Sequence, residues 1–495
     1  MFIPAISAYA NAEVKNMESI WSATTSIRPF PALDRDRKTT VAVIGGGLAG
    51  ILTAYCLAQR GIETIVLEAA RIGDGQTKNT TAKITSQHDL IYRKLLQGVG
   101  EELAKQYAAA NQNAIAAYHR IISEQGISCE FEERPAFLYS TRQQGVLPLE
   151  QEAAAAQAVG ISAHLTKQTS LPFPVSGAIR FDGQAQFHPL KFLQAIAKKL
   201  TIFENTRALL VKGKQVLTPH GTVTAEHIVF ATHFPFVNAP GFYFARMHQE
   251  RSYVVALENA AKLDGMYLGI DADGLSFRNS GNLLLLGGGS HRTGENSEGG
   301  KYDMLREKAA AFYPDGMEIA HWSAQDCMTL DSIPYIGPFS SATPNWYVAT
   351  GFGKWGMTSS MVSAMLLTDQ ITHTPNPYSE VFSPQRFTPS ASIQAFLSDS
   401  AQAVKGIARQ VFTLPEETGK ALAAGHGGIV EVDGQKIGVY RNEEGECFFV
   451  STRCPHLGCQ LEWNPDEKSW DCPCHGSRFD YRGKLIDNPA QEDIK

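Results

Sequence analysis

Two short stretches near the C-terminus combine cysteine and histidine at close spacing. The first has the spacing Cys-x-His and the second, fifteen residues later, the spacing Cys-x-x-His. Thiolates and imidazoles at such spacings are typical of metal ligands. Two cysteines and two histidines suit either a zinc ion or an iron–sulfur cluster. The four candidate ligands are Cys454, His456, Cys472 and His475.

A glycine-rich turn near the N-terminus has the spacing of a dinucleotide-binding site. Gly45, Gly47 and Gly50 form a G-x-G-x-x-G pattern that follows an apolar segment and opens a helical one. Glu68 stands at the end of the next predicted strand, where its carboxylate can accept hydrogen bonds from a ribose. The free N–H groups at the start of the helix suit a pyrophosphate. The pattern therefore predicts a βαβ unit that binds a dinucleotide.

A second glycine motif lies far along the chain and again joins a strand to a helix. It runs from Trp346 through Gly351 to Thr358. Together the two motifs resemble the glycine/D-amino-acid oxidase superfamily of FAD-dependent amine oxidoreductases, over roughly residues 40 to 375. The resemblance implies bound FAD in a discontinuous Rossmann-like domain. It also implies a substrate domain built on a mixed sheet.

The same resemblance assigns individual residues to the cofactor. The glycine turn and Glu68 would hold the ADP half of FAD, and the loop that begins at Thr80 would lie beside the isoalloxazine ring. The second glycine motif would lie at the flavin edge. The implied cofactor-binding residues are Gly45, Gly47, Leu48, Ala49, Gly50, Glu68, Thr80, Thr81, Ala82, Lys83, Ala208, Thr232, Gly351, Lys354, Trp355, Gly356, Met357 and Thr358.

One departure from the superfamily pattern bears on the substrate. Sarcosine-oxidase-like members have a lysine at the position of Thr358, and that lysine binds the substrate carboxylate. Trp355 and Met357 also differ from the pattern of those members. The departure weakens the case for a simple amino acid as the substrate.

The cysteine and histidine stretches resemble Rieske domains over about residues 425 to 490. The resemblance implies a [2Fe–2S] cluster in which one iron binds the two cysteines of the ligand set and the other iron binds the two histidines. Two further cysteines, Cys459 and Cys474, match the disulfide that ties the cluster loops together in members of the cytochrome bc type.

Composition excludes several classes of function. Of 495 residues, 44 are Lys or Arg and 50 are Asp or Glu, so the net charge of −6 leaves no basic excess for nucleic acid. The N-terminus lacks a basic segment followed by an apolar core, so we expect no signal peptide and no transmembrane segment. The expected location is the cytoplasm.

We expect an α/β (α+β) protein with a Rossmann-like FAD/NAD(P)-binding domain, a mixed-sheet substrate domain and a small all-β Rieske domain. The shift to Pro-rich and Ser-rich sequence after residue 373 predicts a linker before the last domain. The predicted segments are 1–38 (N-terminal arm), 39–85, 190–240 and 325–375 (FAD-binding), 86–189 and 241–324 (substrate), 376–412 (linker) and 413–495 (Rieske).

The cofactors and the substrate domain together indicate a redox enzyme. We expect a dehydrogenase that oxidises a C–N bond of an amine, an amino acid or an N-methyl compound. Electrons would pass from FAD to the Rieske cluster and on to an external one-electron acceptor, a protein or a quinone. The candidate catalytic residues are Lys354, Tyr253, His291 and Arg292.

Two alternatives stay open. In the first, electrons flow in reverse, and an external donor serves a reductase or a monooxygenase-type reaction. In the second, the protein is an electron carrier or a redox sensor that does not turn over a substrate. Assembly into an oligomer also stays open.

Overall fold

An eight-stranded sheet forms the first layer of the molecule, whose computed structural model describes residues 18–386, 422–432 and 434–495. Its strands are β1 (Arg37–Ile44), β2 (Thr64–Leu67), β9 (Thr201–Phe203), β10 (Leu210–Lys212), β11 (Gln215–Thr218), β12 (Gly221–Phe230), β18 (Tyr335–Pro338) and β19 (Trp346–Thr350). Strand β1 pairs in parallel with β2 on one side and with β12 on the other. Central parallel strands are apolar because both of their faces are covered, and Val41, Ala42 and Val43 of β1 are fully buried.

Helices cover this sheet and connect its parallel strands. The α-helices of the described residues are α1 (Ile20–Thr24), α2 (Leu48–Gln59), α3 (Gln76–Asn79), α4 (Ile91–Gly98), α5 (Gly100–Gln125), α6 (Val146–Ala158), α7 (Pro189–Ala197), α8 (Lys301–Phe312), α9 (Gly356–Ile371) and α10 (Ser379–Phe382). Helix α2 joins β1 to β2 and completes the predicted βαβ unit. Helix α9 contacts both α2 and α5, so most of its residues are buried. None of the described helices combines the length and the apolar character that a membrane crossing requires.

A second eight-stranded sheet has mixed strand directions. Its strands are β5 (Ala136–Ser140), β6 (Ala163–Thr166), β7 (Gly177–Phe181), β13 (Met247–Glu258), β14 (Met266–Gly269), β15 (Ser276–Ser280), β16 (Leu283–Arg292) and β17 (Met317–Thr329). They lie in the order β17-β13-β16-β15-β14-β5-β7-β6, and β14 runs parallel to β5. A small third sheet consists of β3 (Lys83–Ile84), β4 (Glu132–Glu133) and β8 (Ala185–Gln186).

Two small antiparallel sheets form the C-terminal module. Their strands are β20 (Gly427–Val432), β21 (Gln435–Arg441) and β22 (Cys447–Ser451), then β23 (Glu462–Asn464), β24 (Ser469–Asp471), β25 (Arg478–Asp480) and β26 (Leu485–Asp487). The module has a core of its own around Trp470, Phe479 and Leu461, each fully buried. The expected fold class is confirmed, with a mixed second sheet and a small all-β module.

One predicted boundary differs from the strand pattern. Strand β17 continues to Thr329 because its ladder with β13 extends to the pair Met247 and Thr329, so the second sheet passes residue 324. Residues 379–382 of the predicted linker form α10. Positions 387–412 of the linker lie outside the described residues, and so do positions 1–17 of the predicted arm. The remaining domain boundaries stay predictions.

Candidate active site and metal centre

The glycine turn between β1 and α2 has backbone contacts at Gly45 and Gly50 that leave no room for a side chain. Gly45 has a φ of 111°, and a Cβ there would lie 2.3 Å from the carbonyl oxygen of Ala231. A Cβ on Gly50 would lie 2.0 Å from the oxygen of Gly45. Gly47 differs, because a Cβ there would meet one atom, Thr77 Oγ1, at 3.4 Å. The turn is therefore tight on its protein side and open where Gly47 faces the cavity.

Glu68 fixes the glycine turn and keeps a carboxylate at the cavity. Its Oε2 accepts from the Gly46 N–H at 2.6 Å, and its Oε1 accepts from the Ala70 N–H at 2.8 Å. Burial raises the pKa of Glu68, whereas these two N–H donors oppose that shift. A carboxylate has about four acceptor positions, so Glu68 can hold the turn and still accept a hydrogen bond from a ribose hydroxyl.

A cavity of about 1130 Å³ opens from this turn and runs along the second sheet. Its lining fits FAD, because the open side of the glycine turn, the Glu68 carboxylate and most of the other residues implied by the resemblance face it. The implied cofactor-binding residues that line the cavity are Gly45, Gly47, Leu48, Ala49, Glu68, Thr80, Thr81, Lys83, Ala208, Thr232, Gly351, Lys354, Trp355, Gly356 and Met357.

Three of the implied residues lie behind the cavity wall. Gly50 packs under Gly45, and Ala82 is fully buried. The hydroxyl of Thr358 accepts from the Thr85 N–H at 3.0 Å and donates to the Thr85 carbonyl at 2.7 Å. Thr358 therefore joins the start of α9 to the loop that follows β3, instead of presenting a polar group to the cavity.

Lys83 reaches from the loop beside the predicted isoalloxazine position to the second sheet. Its Nζ donates to the Tyr267 carbonyl at 3.2 Å and to Ser276 Oγ at 2.5 Å. Burial, together with the nearby Arg278 guanidinium, lowers the pKa of Lys83 to about 7. Arg278 itself donates to the carbonyls of Thr81 and Ala82, so the same loop is held by both cations.

Two carboxylates stand side by side on the cavity wall. Glu250 of β13 and Asp326 of β17 are partners in the β-ladder, and both line the cavity. Lys354 Nζ lies 3.0 Å from Glu250 Oε2 and donates to Ser290 Oγ at 2.8 Å. Burial raises the pKa of Asp326 to about 7. The sequence did not point to these two carboxylates, because polar residues occupy both faces of β13 from His248 to Ser252.

The other predicted catalytic residues lie where the second sheet meets the C-terminal module. The Tyr253 hydroxyl contacts His291 Nε2 at 3.0 Å and accepts from Asn464 Nδ2 at 3.4 Å, although part of Tyr253 also lines the cavity. Arg292 donates to the Pro473 carbonyl at 3.2 Å. Lys354, in contrast, lines the cavity. A catalytic role for all four residues stays a prediction.

The predicted metal ligands converge on two loops with the same backbone turn. The first loop follows β22 and the second joins β24 to β25. In each loop, a glycine N–H donates at 2.9 Å to the carbonyl of the cysteine four residues earlier, Gly458 to Cys454 and Gly476 to Cys472. Both glycines have a positive φ, of 80° and 84° respectively. The two loops therefore present their side chains in equivalent ways.

The donor atoms of these loops fit a [2Fe–2S] cluster. The rings of His456 and His475 are 5.0 Å apart, and Nδ1 of His456 is buried without a hydrogen-bond partner among the described residues. A hydrogen bond with the Cys472 thiol lowers the pKa of Cys454, so the two sulfurs face one another. Sulfur on one side and imidazole nitrogen on the other is the donor set of a Rieske centre.

Cys459 and Cys474 form a disulfide between the two loops. Their sulfurs and that of Cys472 lie within 4.8 Å of one another, but two of the three are oxidised and cannot serve as thiolate ligands. The disulfide stands beside the ligand set, as the resemblance to the cytochrome bc type implies.

Removal of this disulfide is expected to loosen the cluster loops. Because the bond closes a loop between cysteines 15 positions apart, the double variant Cys459→Ala/Cys474→Ala should lose about 3 kcal/mol of unfolding free energy. Urea unfolding followed by the cluster absorbance measures this loss. Cys447→Ala, at an exposed free cysteine, is the control and should unfold like the wild type. Equal midpoints for the double variant and the control would contradict the prediction.

The C-terminal module docks on the second sheet through alternate residues of β13 and β17. Gln249 Nε2 donates to the His475 carbonyl at 2.7 Å, and Gln325 Nε2 donates to the Gly476 carbonyl at 2.8 Å. Arg251 forms a buried ion pair with Glu467. The residues between them in sequence, such as Glu250 and Asp326, face the cavity instead. Successive side chains of a strand point to opposite faces, so the same two strands separate the cavity from the cluster loops.

A second contact brings the histidine ligands to the segment that connects β12 to β13. His456 Nε2 lies 2.9 Å from Asn238 Oδ1, and the Phe244 ring packs edge-on against both histidine rings, at 6.2 and 5.7 Å. Asn488 Nδ2 donates to the carbonyls of Thr232 and Phe234, at 2.9 and 2.6 Å. The end of β26 also lines the cavity through residues 485–488. The module is therefore part of the cavity wall.

Comparison with known proteins identifies two domains in the chain. The model of the FAD dependent oxidoreductase family matches residues 40–370, and that of the Rieske [2Fe-2S] domain matches residues 417–495. A protein of Bacillus subtilis (strain 168), YhfW, whose name describes a Rieske 2Fe-2S iron-sulfur protein, is 38% identical over 493 residues, which cover 97% of each chain.

Solved structures with a similar fold include two amino acid oxidoreductases. The L-proline dehydrogenase from P. horikoshii aligns with a TM-score of 0.59 at 18% identity, over 71% of this chain and 98% of its own. The glycine oxidase from Geobacillus kaustophilus aligns with a TM-score of 0.59 at 18% identity, over 71% of this chain and 99% of its own. At such identity, the likeness shows the fold alone.

Proposed function

Because the chain belongs to the FAD-dependent oxidoreductase family and carries a C-terminal Rieske [2Fe–2S] domain, we propose that it is a dehydrogenase for a C–N bond. The substrate class would be an amine, an amino acid or an N-methyl compound. The electrons would leave through the Rieske domain to an external one-electron acceptor, either a protein or a quinone. When bound, FAD supplies two-electron chemistry and the cluster supplies one-electron chemistry.

The observation that carries the proposal is that the two faces of β13 and β17 contact different sites. On one face, Glu250 and Asp326 line the cavity. On the other face, Gln249 and Gln325 hold the backbone of the loop that carries His475. A substrate in the cavity and a cluster in the loops would thus be separated by one layer of sheet. Such an arrangement favours electron transfer within one chain over transfer by diffusion.

The chain's own residues would bind the cofactor and orient it in the cavity. Backbone N–H groups at the start of α2, next to Gly47, would hold phosphate, and Glu68 would hold ribose. The start of α9, at Gly356, faces the cavity and places a positive helix end where negative charge would develop. Lys83, held by Tyr267 and Ser276, would fix the position of the cofactor relative to the second sheet.

A steady-state comparison tests whether electrons leave through the cluster. Purified protein is mixed with amines and N-methyl amino acids, and the reduction of cytochrome c and of a water-soluble quinone is followed. The variant Cys454→Ser removes one cluster ligand but does not alter the cavity. We expect it to retain substrate-dependent bleaching of the flavin and to lose most of its acceptor reduction. Equal acceptor reduction by the variant and the wild type would contradict the proposal.

A further inference from the structure

We propose that the substrate is an amine cation without an α-carboxylate, and that it is bound by the paired carboxylates of Asp326 and Glu250. The inference rests on the proposed function and narrows its substrate class. It follows from four features of the cavity: a lost carboxylate-binding position, a pair of facing carboxylates, the engagement of the neighbouring cations, and the space beside the pair.

The position at which related enzymes would bind a substrate carboxylate is closed. Thr358 is 1% exposed, and its hydroxyl both donates to and accepts from the backbone of Thr85. A hydroxyl that has used its proton in this way has none left for an anion. Thr358 also does not line the cavity. A substrate carboxylate would therefore need another cation.

The cavity wall offers negative charge instead. Glu250 and Asp326 are directly paired across β13 and β17, which places their Cβ atoms about 5 Å apart on one face. Within the described part of the chain, no side chain lies at hydrogen-bond or ion-pair distance from the Asp326 carboxylate. Burial raises the pKa of Asp326 to about 7, and the charge of Lys354 opposes that shift without contacting the carboxylate. A bound ammonium group would supply the missing partner.

The cations closest to this pair are already engaged. Lys354 contacts Glu250 and Ser290. Arg251 points to the opposite face of the sheet, where it pairs with Glu467. Lys83 donates hydrogen bonds to the Tyr267 carbonyl and to Ser276 Oγ. The charged side chains around Asp326 therefore favour the binding of a cation over that of an anion.

Space for a ligand exists beside the two carboxylates. The neighbouring strand β16 contributes three successive glycines, residues 287–289, to the cavity lining. Ser252 and Ala324, the next cavity-facing pair along β13 and β17, are also small. An alkyl or aryl group could lie against this wall while its ammonium contacts Asp326.

Matched pairs of compounds test the substrate class. Each pair differs by one carboxylate: phenethylamine and phenylalanine, ethylamine and alanine, dimethylamine and sarcosine. The flavin-loaded protein is titrated anaerobically, and both calorimetric binding and flavin bleaching are recorded. We expect at least one amine to bind and to bleach the flavin, and its carboxylated partner to do neither. Failure of every amine to bind would overturn the inference.

Variants test the assigned residues with the amine that binds. Asp326→Asn should weaken calorimetric binding roughly tenfold or more, since a charge-assisted contact is lost, and Glu250→Gln should weaken it less because Lys354 already compensates Glu250. Glu307→Gln, at an exposed position on α8, is the control and should bind like the wild type. Unchanged binding in Asp326→Asn would overturn the assignment.

Failure of this inference is distinguishable from failure of the proposed function. Bleaching by phenylalanine, alanine or sarcosine, with no response to the matched amine, would overturn the inference but leave C–N oxidation standing. No bleaching by any compound with a C–N bond would overturn both.

Discussion

Replacement of Arg251 by methionine is expected to uncouple the flavin site from the Rieske domain. Arg251 is 2% exposed and pairs with Glu467, which lies in the C-terminal module. Its guanidinium also donates to Ser323 of β17. The residue therefore joins the second sheet to the module at the centre of their contact. In Arg251→Met, flavin reduction by substrate should persist while cluster reduction slows.

The size of this effect follows from the charges that the contact buries. Two guanidiniums, those of Arg251 and Arg478, face three carboxylates, those of Glu467, Asp471 and Asp487. Removal of Arg251 leaves one guanidinium for all three. Breaking a buried ion pair costs about 3–5 kcal/mol because the remaining charge is uncompensated. Because 1.4 kcal/mol is a factor of ten, even about 3 kcal/mol would lower the docking equilibrium constant more than a hundredfold.

Stopped-flow mixing with substrate measures the two steps in this variant. Flavin bleaching should persist, because Arg251 points away from the cavity and its removal leaves the cavity-lining residues of β13 and β17 in place. The Rieske signal should develop at least about tenfold more slowly. Arg306→Met is the control, because Arg306 forms surface ion pairs with Asp303 and Glu318 that are worth little. Cluster reduction at the same rate in Arg251→Met and Arg306→Met would contradict the docking account.

The variant Gly45→Ala is expected to lose FAD. A Cβ at this position would lie 2.3 Å from the Ala231 carbonyl oxygen, and the φ of 111° is strained for any residue with a side chain. Ala231 cannot move away easily, because its N–H donates to the Ile44 carbonyl at 2.8 Å within the sheet. Overpacking and backbone strain each cost about 1–3 kcal/mol. We expect about 3 kcal/mol of lost stability and a protein purified without flavin.

Gly61→Ala provides the matched control for this prediction. Gly61 also has a positive φ, of 74°, but a Cβ there would meet no atom within 4 Å. The control should lose about 1 kcal/mol from strain alone and should retain its flavin. The ratio of flavin to protein absorbance and the urea midpoint measure both effects. A full flavin content in Gly45→Ala would refute the assigned role of the turn.

Local motifs were readable from the sequence because their chemistry depends on neighbouring residues. The turn that contains Gly45, Gly47 and Gly50 needs small residues at fixed spacing, and such a requirement is visible in the chain itself. The same holds for the loops that begin at Cys454 and Cys472. The fold class followed from these motifs, since each one belongs to a known arrangement of strands and helices.

The placement of side chains on the two faces of the second sheet was not readable in this way. Tyr253, His291 and Arg292 were selected because they lie near the ends of strands. In the structure, Tyr253 and Arg292 contact the C-terminal module, and His291 contacts Tyr253 and the Arg292 carbonyl. Which face of a strand is covered depends on how the domains dock, and a single strand's sequence does not contain that information. For the same reason, Glu250 and Asp326 were missed.

The contacts of the Thr358 side chain could also not be predicted from the sequence. Its place in the second glycine motif suggested contact with the flavin, but its side chain bridges to the backbone of Thr85, 273 positions earlier in the chain. A contact between residues so far apart depends on how the helix and the loop pack together. Motif spacing therefore predicts where the backbone of such a residue lies better than it predicts what its side chain contacts.

Anaerobic mixing of the purified protein with an oxidisable amine tests the central claim most directly. The flavin absorbance and the electron paramagnetic resonance signal of the reduced cluster are followed in the same sample over time. The account predicts that the flavin bleaches first and that the Rieske signal follows, without any added donor. Reduction of the cluster and the flavin by NAD(P)H or dithionite alone, with no response to any amine, amino acid or N-methyl compound, would contradict it.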